Sequence, residues 1–325
     1  MTDEFRLIER IRALAPSCLE VEEGIGDDCA VLNPPAGERL LVTSDLLLEG
    51  VHFRRDWTCA ADLGAKSVAV NLSDLAAMGA RPLALVLGLG VPDDFAAGQL
   101  DALIAGFCRT AADYGVALVG GDTCRSQQFL TVAVTAFGTA APGRIVRRSG
   151  ARAGDCLLVS GELGDSALAL RLLQRGENPP PEIAERHHRP RARVELGKRL
   201  AAAGIHAMID LSDGLIGDLG HILAASGVGA EIETAKIPLS GAFRRALADD
   251  PGLFALALGG GEDYELLLAA EASGVAGLQA LAAGIGVRLS VIGRVVDEPR
   301  AIWLVDADGE RRRAEPAGFR HAIGK

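Results

Sequence analysis

Seven aspartates of this 325-residue chain lie in short segments rich in glycine and serine rather than in charged surface runs. They are Asp27, Asp28, Asp45, Asp74, Asp122, Asp210 and Asp213. Each segment adjoins an apolar run typical of a strand or helix, so the carboxylates fall where elements end and binding sites are usually built. Oxygen ligands from separated segments suit Mg²⁺, which usually takes one or two carboxylates together with substrate phosphates. The pattern therefore indicates chemistry on phosphate groups.

Two of these segments also have ordinary structural explanations. Asp27 and Asp28 in GIGDDCAVL could form an Asx-turn that leads into a strand. Thr43, Ser44 and Asp45 end a run that predicts a buried strand, where their side chains could simply cap the strand end. For both segments, the structural and the functional interpretation stay open on the residues alone.

Asp74 lies in a helix candidate that is otherwise nearly all Ala, Val and Leu. Ser67, Asn71 and Asp74 recur at i, i+4 and i+7, which places them in one polar stripe. A charge on such a helix is costly if it is buried without partners. The alternative is that the stripe faces water. Asp74 is the one charged residue between Lys66 and Arg81, and this lack of further charges weakens the alternative.

Two further segments combine acidic groups with exposed backbone N–H groups. Gly121 and Asp122 in GGDT fall between two strand candidates, and we predict a loop there that suits phosphate oxygens and a metal ion together. In IDLSDGL, Asp210 ends a strand candidate, while Ser212 or Asp213 could cap the helix that follows. Because a helix N-terminus also binds anions, capping and phosphate binding are compatible there.

Single polar residues elsewhere carry weaker patterns. His52 could be a ligand, although a lone loop histidine is more often only hydrogen-bonded. Glu262 follows three glycines, where a plain turn is the alternative. Arg148 belongs with Arg144 and Arg147 to a basic group that could contact phosphate or could be solvated.

The composition disfavours several classes of protein. A net charge of −10 argues against non-specific binding to nucleic acid or anionic membranes, but not against ATP, because bound cations can mediate between acidic side chains and phosphates. Neither a G-x-x-x-x-G-K-[ST] sequence nor a strand-linked G-x-G-x-x-G sequence occurs, so P-loop and Rossmann sites are excluded.

Six cysteines without a C-x-x-C pair predict free thiols. The apolar runs are shorter than the roughly 20 residues of a membrane span, and we expect a cytoplasmic protein.

Strand-like and helix-like segments alternate in both halves of the chain, which predicts an α/β or α+β fold. A segment rich in proline, glycine and arginine interrupts the pattern and predicts a boundary between a domain of residues 1–142 and one of residues 143–325. Residues 176–190 include three consecutive prolines and predict an extended linker. We expect His187 and His188 to be exposed beside it.

Eight motifs, taken together and in order, resemble the thiamine-monophosphate kinase family, whose superfamily includes aminoimidazole ribonucleotide synthetase and selenophosphate synthetase. They are GIGDDCAVL, TSDLLLEGVHF, KSVAVNLSDLAAMGA, LVGGDTCR, RRSGARAGD, GDSALAL, IDLSDGL and GGGEDYELL. The resemblance runs from end to end, and eight ordered motifs are highly specific. GGEDYEL and the histidine of GVHF favour the thiamine enzymes over their relatives.

The resemblance implies ATP-dependent phosphorylation of thiamine monophosphate to thiamine diphosphate, the final step of thiamine diphosphate biosynthesis, with several Mg²⁺ ions. It implies a two-domain aminoimidazole ribonucleotide synthetase-like fold with mixed sheets flanked by helices in each domain. The N-terminal domain would bind ATP and metal and pair into a homodimer, and the C-terminal domain would close the substrate cleft. Because the acceptor is itself a phosphate, we expect direct in-line transfer without a general base.

The resemblance also assigns roles to single residues. The implied metal ligands are Asp28, Thr43, Ser44, Asp45, Asp74, Asp122, Asp210 and Asp213, of which Asp45, Asp122 and Asp210 would be catalytic through the metal. The implied ATP contacts are Gly121, Asp122, Arg148 and Ser212. The implied substrate contacts are His52, Glu262 and Phe319, where relatives often have Tyr or Trp at the last position. Asp27 is left as a turn residue. A related ATP-dependent synthetase and a non-catalytic ATP-sensing dimer are the alternatives.

Overall fold

The computed structural model describes residues 4–315 and residue 318. The chain divides into an N-terminal unit, Met1–Leu75 with Ala80–Gly143, and a C-terminal unit, Ala76–Gly79 with Arg144–Lys325. Within the described residues, each unit combines a β-sheet of mixed strand direction with helices. The predicted α/β (α+β) fold class is therefore confirmed. None of the described helices is long and apolar enough to cross a membrane.

The N-terminal unit is built on a sheet of long strands. Its elements are α1 (Glu4–Leu14), β1 (Val21–Glu23), β2 (Val31–Leu32), β3 (Arg39–Leu48), α2 (Ala60–Ala77), β4 (Arg81–Pro92), α3 (Ala97–Asp113), β5 (Ala117–Ser126) and β6 (Thr131–Ala140). In the described residues the main sheet has the order β3-β6-β4-β5, and β1 pairs with β2 separately. β4 and β5 are parallel, whereas β6 is antiparallel to both of its neighbours.

β3 lies at the edge of this sheet and has one buried and one exposed face. Leu41 and Leu47 point to the buried face. Leu40, Val42 and Leu46 point to the other face, because side chains alternate along a strand, and they are 50%, 56% and 47% exposed. The strand therefore presents a row of apolar side chains to its surroundings.

Helices α2 and α3 approach each other closely at two glycines. A Cβ atom added at Gly64 would lie 2.1 Å from the Leu103 carbonyl oxygen, and one added at Gly106 would lie 2.1 Å from that of Ala61. Any side chain at either position would force the two helices apart. This crossing holds α2, which carries Asp74, in its place in the unit.

β5 is longer than we predicted. We predicted that GGDT forms a loop between two strands, but β5 continues through GGDT and pairs in parallel with β4. A Cβ atom at Gly121 would lie 2.0 Å from the Leu87 carbonyl oxygen. Only glycine allows this approach of the two strands, and Asp122 consequently lies within a strand.

The C-terminal unit contains the larger sheet. Its elements are β7 (Cys156–Ser160), α4 (Asp165–Gln174), α5 (Pro181–His188), α6 (Val194–Ala203), β8 (Ala207–Asp210), α7 (Leu215–Ser226), β9 (Gly229–Glu233), α8 (Gly241–Asp249), α9 (Phe254–Gly259), β10 (Leu266–Ala270), α10 (Val275–Ala283), β11 (Leu289–Val296), β12 (Ile302–Val305) and β13 (Arg311–Arg313). Among the described residues the order is β13-β12-β9-β11-β7-β10-β8. Only β12 and β9 are parallel in this part of the chain.

Apolar cores cover both faces of this sheet. Leu157 and Val159 of β7 belong to one buried cluster, together with residues of α4, α7 and α8. Leu158 belongs to the other, with residues of α6 and α10. Strands buried on both faces explain the nearly continuous apolar runs in the sequence.

The linker predicted at 176–190 contains a helix instead. α5 begins at Pro181, and proline is well suited to a first helical position because the N–H group that it lacks would have no partner there. His187 is only 4% exposed, so our prediction of its exposure was wrong, whereas His188 is half-buried. α5 packs against α4, and this packing stabilises the helical conformation of the segment. A run of prolines in the sequence does not reveal such tertiary contacts.

Candidate active site

The buried face of β3 meets the polar stripe of α2. Thr43 Oγ1 donates a hydrogen bond to Asp74 Oδ2 at 2.5 Å, and the Asp45 backbone N–H donates to Asn71 Oδ1 at 3.0 Å. Ser67 and Asn71 are buried, so the alternative of a water-facing stripe is wrong. The structure therefore brings Thr43, Asp45 and Asp74 together, and Asn71 is the residue that ties helix to strand.

The charges in this group repel each other. Burial raises the pKa of Asp45 to about 6, and the negative charge of Asp74 contributes to the increase. A nearby cation would lower that pKa again, because an opposite charge favours the ionised carboxylate. The predicted metal-ligand roles of Asp45 and Asp74 are compatible with this effect and stay predictions.

Ser44 is not part of this group. Its hydroxyl lies on the opposite face of β3, where it donates to the Val134 carbonyl oxygen at 3.1 Å and contacts Thr135 Oγ1 at 3.1 Å. The period of two along the strand separates it from Thr43 and Asp45. Its predicted role as a metal ligand stays a prediction.

A cavity of about 290 Å³ lies in the N-terminal unit beside β4 and β5. Asp28, Gly121 and Asp122, three of the predicted ligands of metal or ATP, line it. Apolar side chains of α1, Ile8 and Ile11, form part of its wall. The cavity is lined by both acidic and apolar side chains, which is the usual character of a small-molecule site.

Asp27 bonds to its immediate neighbour. Its Oδ1 accepts a hydrogen bond from the Asp28 backbone N–H at 2.7 Å. An Asx-turn requires a bond to the residue two positions on, so this contact is not an Asx-turn, and the turn role of Asp27 stays a prediction. Asp27 also lines the cavity.

The donor set fits Mg²⁺ without forming a cage for it. No group of three or more His, Cys, Asp or Glu side chains in residues 4–315 is arranged to hold a metal ion. Mg²⁺ is usually held by one or two carboxylates, with waters and substrate phosphates completing the coordination. The Asp45–Asp74 pair with the Thr43 hydroxyl matches that requirement.

In the C-terminal unit, the loop before α7 is held by an aspartate that our sequence reasoning missed. Asp218 Oδ2 accepts hydrogen bonds from the backbone N–H groups of Ser212, Asp213 and Gly214, each at 3.1 Å. The prediction that Ser212 or Asp213 caps the helix was wrong, because the cap position is Gly214 and Asp218 satisfies the N–H groups. An acidic residue in the first helical turn is a recognised signal of this kind.

Asp218 is a buried carboxylate with a perturbed titration. Burial raises its pKa to about 6, and the charge of Asp213 adds to the increase. The three backbone N–H groups act in the opposite direction. Burial is the largest effect, because a carboxylate removed from water loses hydration that three N–H dipoles replace only in part.

Glu262 is joined to the same loop. Its backbone N–H donates to the Ser212 carbonyl oxygen at 2.8 Å, and that of Tyr264 donates to the Leu211 carbonyl oxygen at 2.8 Å. The structure therefore places Glu262, the predicted substrate contact, next to the segment with Asp210 and Ser212. Asp210 is itself buried at the end of β8.

Arg148 lies elsewhere in the C-terminal unit. Its carbonyl oxygen accepts a hydrogen bond from Ser226 Oγ at 3.3 Å, at the C-terminal end of α7. Ser212 precedes the other end of α7, and twelve helical residues extend about 18 Å. The structure does not bring the backbone of Arg148 to Ser212, and its ATP contact stays a prediction.

His52 is fixed in a turn directly after β3. Its Nδ1 accepts a hydrogen bond from the Leu48 backbone N–H at 3.0 Å, and its own backbone N–H donates to the Leu48 carbonyl oxygen at 2.9 Å. A nitrogen that accepts carries no proton, so this contact assigns the ring proton of a neutral His52 to Nε2. Phe319, the third predicted substrate contact, lies outside the described residues.

Two family models match the chain. The N-terminal domain of AIR synthase related protein matches residues 26–140, and the C-terminal domain of AIR synthase related protein matches residues 152–305. Together they cover most of the chain.

Named relatives and solved structures agree with this assignment. Thiamine-monophosphate kinase of Salmonella typhimurium is 41% identical over 89% of this chain and 88% of that protein. The crystal structure of thiamine-monophosphate kinase from Stenotrophomonas maltophilia is 43% identical, with a TM-score of 0.85 over 95% of this chain and 98% of that one. The structure of AaThiL complexed with AMPPCP and TMP is 33% identical, with a TM-score of 0.78 over 98% of this chain and 96% of that one. The chain therefore belongs to the AIR synthase related protein family, and within that family to the thiamine-monophosphate kinases.

Proposed function

We propose that this protein transfers the γ-phosphate of ATP to the phosphate of thiamine monophosphate, giving thiamine diphosphate and ADP as the final step of thiamine diphosphate biosynthesis. The observation that carries the proposal is the cavity of about 290 Å³ in which Asp28, Gly121 and Asp122 come together. The kinship with AaThiL, whose structure is a complex with AMPPCP and TMP, supports ATP and thiamine monophosphate as the two substrates.

The cavity suits the nucleotide. Ile8, Ile11, Asp28 and Asp122 all line it, and we propose that the isoleucines contact the nucleobase and that the aspartates bind the counterions of the phosphates. The proposed ATP contacts are Gly121, Asp122, Arg148 and Ser212.

The central difficulty of the reaction is electrostatic, because two phosphorylated molecules must come within bonding distance. Two unit charges 4 Å apart interact with about 4 kcal/mol at an effective dielectric constant of 20. Mg²⁺, when bound, supplies countercharge to the phosphate oxygens. We propose as its ligands Asp28, Thr43, Ser44, Asp45, Asp74, Asp122, Asp210 and Asp213, among which Asp45, Asp122 and Asp210 matter most for catalysis.

The residues of the chain mainly bind and orient the reactants. A phosphate acceptor is already a nucleophile near neutral pH, so no residue is needed as general base. His52, Glu262 and Phe319 are the proposed contacts of thiamine monophosphate. We propose that the γ-phosphate passes directly between the substrates, because in-line positioning and charge neutralisation are the chief requirements of phosphoryl transfer.

The exposed apolar row of β3 supports a homodimer formed through the N-terminal domain. Leu40, Val42 and Leu46 are each about half exposed on an edge strand, and such a row is an exposed surface that a second copy could cover. We further propose that residues 1–142 form the domain that binds ATP and metal, and residues 143–325 the domain that closes the substrate cleft. A cytoplasmic location stays a prediction from the sequence.

A coupled assay of ADP release tests the proposed function directly. ADP release should depend on thiamine monophosphate and on Mg²⁺, and the product should be thiamine diphosphate by mass spectrometry. Asp122→Asn should abolish turnover, whereas Asp56→Asn, a matched change at an exposed carboxylate paired with Arg54, should not. Equal ADP release without thiamine monophosphate would refute the assignment. With a chiral γ-phosphate, inversion supports direct transfer and retention excludes it.

A further inference from the structure

Glu262 lies in a backbone segment of unusual conformation. Glu262 and Tyr264 have φ angles of 58° and 49°, and Gly261 before them has 70°. The left-handed region is unfavourable for residues other than glycine, and such conformations persist only where surrounding contacts determine them. The contacts that hold this segment therefore determine where the Glu262 side chain lies.

The end of the segment is fastened by a buried ionic network. Glu265 is 1% exposed, and its carboxylate accepts hydrogen bonds from Ser160 Oγ at 2.5 Å, Arg193 Nε at 2.7 Å and Arg186 Nη1 at 3.2 Å. Charge-assisted bonds to a buried carboxylate are strong and directional. They fix the point at which β10 begins, and they bring α5, which carries Arg186, to the segment.

The same helix presents a second residue to the side chain of Glu262. His187 Nδ1 lies 3.5 Å from Glu262 Oε2 and 3.0 Å from Ser166 Oγ. The histidine is 4% exposed and Ser166 is fully buried, so the ring has little freedom to move. Ser166 Oγ is the hydrogen-bond partner of Nδ1, and an N–H at Nδ1 also presents positive charge to the Glu262 carboxylate at 3.5 Å.

We propose that His187 is a positioning residue that fixes the rotamer of Glu262 for binding of thiamine monophosphate. The inference rests on the proposed function, in which Glu262 contacts that substrate. An ionised carboxylate suits the cationic heteroaromatic part of thiamine rather than its phosphate. Glu262 is partly exposed, so loss of the contact with His187 should widen the range of rotamers that its side chain samples and raise the entropic cost of binding.

Substitution of His187 should therefore change the binding of one substrate only. His187→Leu is expected to raise KM for thiamine monophosphate about tenfold and to leave kcat and KM for ATP within twofold. His187→Asn, whose amide nitrogen takes about the place of Nδ1, should restore most of the affinity, whereas His187→Gln, which reaches the position of Nε2, should not. Glu185→Gln is the matched control, since Glu185 lies on α5 in an exposed pair with Arg191.

A double-mutant cycle with Glu262→Gln completes the test. The effect of His187→Leu should largely disappear in the Glu262→Gln background, with thermal unfolding confirming that each variant is folded. If His187→Leu does not fold, the contrast between the Asn and Gln variants decides the matter. An unchanged KM in His187→Leu, or an undiminished effect in the Glu262→Gln background, overturns the role of His187 alone. A wild-type enzyme that releases no ADP in response to thiamine monophosphate refutes the proposed function instead.

Discussion

Replacing Asp45 by asparagine is expected to make the protein more stable while it abolishes phosphoryl transfer. Asp45 lies on the buried face of β3 next to Asp74, and burial with that neighbouring charge raises its pKa to about 6. Asparagine keeps the shape of the side chain and removes the charge. The backbone N–H of residue 45 keeps its bond to Asn71, so the connection between β3 and α2 is retained.

The magnitude follows from the pKa. Raising the pKa of a carboxyl from 3.8 to about 6 costs about 3 kcal/mol of stability when the group is ionised. Because the pKa in the folded state is the higher one, stability is lost as pH rises between these two values and stays lower above about pH 6. Asp45→Asn should thus gain about 2–3 kcal/mol near pH 7.5 in the absence of Mg²⁺, and the gain should vanish near pH 4.

Urea unfolding of the wild type and the variant at both pH values, in the presence of a chelator, measures this difference. Mg²⁺ should then stabilise the wild type and should stabilise Asp45→Asn much less, because a ligand stabilises only the state that binds it. Asp56→Asn serves as the control, since hydrogen bonding to Arg54 lowers the pKa of Asp56 and its removal should not stabilise the protein. If the variant is less stable than the wild type near pH 7.5, or if its gain in stability is the same at both pH values, then burial and the charge of Asp74 do not raise the pKa of Asp45 as described.

Three other predictions concern different parts of the molecule. Near pH 4, Asp218→Ala should lower the free energy of unfolding by about 2–3 kcal/mol, because three backbone N–H groups lose their acceptor. The loss should be smaller near pH 7.5, because burial raises the pKa of Asp218 to about 6 and the substitution then also removes a buried charge. Asp218→Asn, which keeps one acceptor oxygen, should lose less at both pH values, and urea unfolding that finds the alanine variant unchanged near pH 4 would contradict the role of Asp218 in the loop. Gly106→Ala should prevent normal packing of α2 on α3. Gly98→Ala on α3, where the added methyl group meets open space, should stabilise the protein by about 0.5–1 kcal/mol. Thermal unfolding distinguishes the two variants, and equal unfolding temperatures would exclude the close crossing of the helices. Val42→Asp should dissociate the proposed homodimer in sedimentation experiments. Leu19→Asp, at a fully exposed site outside the sheet, should leave the dimer intact. A wild-type protein that sediments as a monomer would refute the proposed homodimer.

Much of the candidate site could be predicted because its residues carry local patterns. The i, i+4, i+7 stripe located Asn71 and Asp74 on one face of α2. The prediction that Thr43, Ser44 and Asp45 end a strand was wrong, because β3 continues to Leu48 through its pairing with β6, and the contact of Asp45 with α2 was not predicted. Ser44 shows the limit of adjacency in sequence, since neighbouring strand residues point to opposite faces. Asp218 could have been found from its place in the first turn of α7.

What could not be predicted depends on tertiary contacts. GGDT has the composition of a loop, but the approach of Gly121 to Leu87 draws it into β5. Three prolines suggested an extended linker, yet the contacts of α5 with α4 made it a helix with a buried His187. In both cases a local preference was overridden by packing partners that are distant in sequence.

Asp218 gives the loop before α7 a property that matters for ligand binding. A carboxylate already occupies the place where the helix N-terminus would attract an external anion. The conformational entropy of residues 212–214 is consequently lost during folding and does not have to be lost again when a substrate arrives. A phosphate that approached these N–H groups would have to displace Asp218, so we expect a ligand of this loop to contact its side chains rather than its backbone N–H groups.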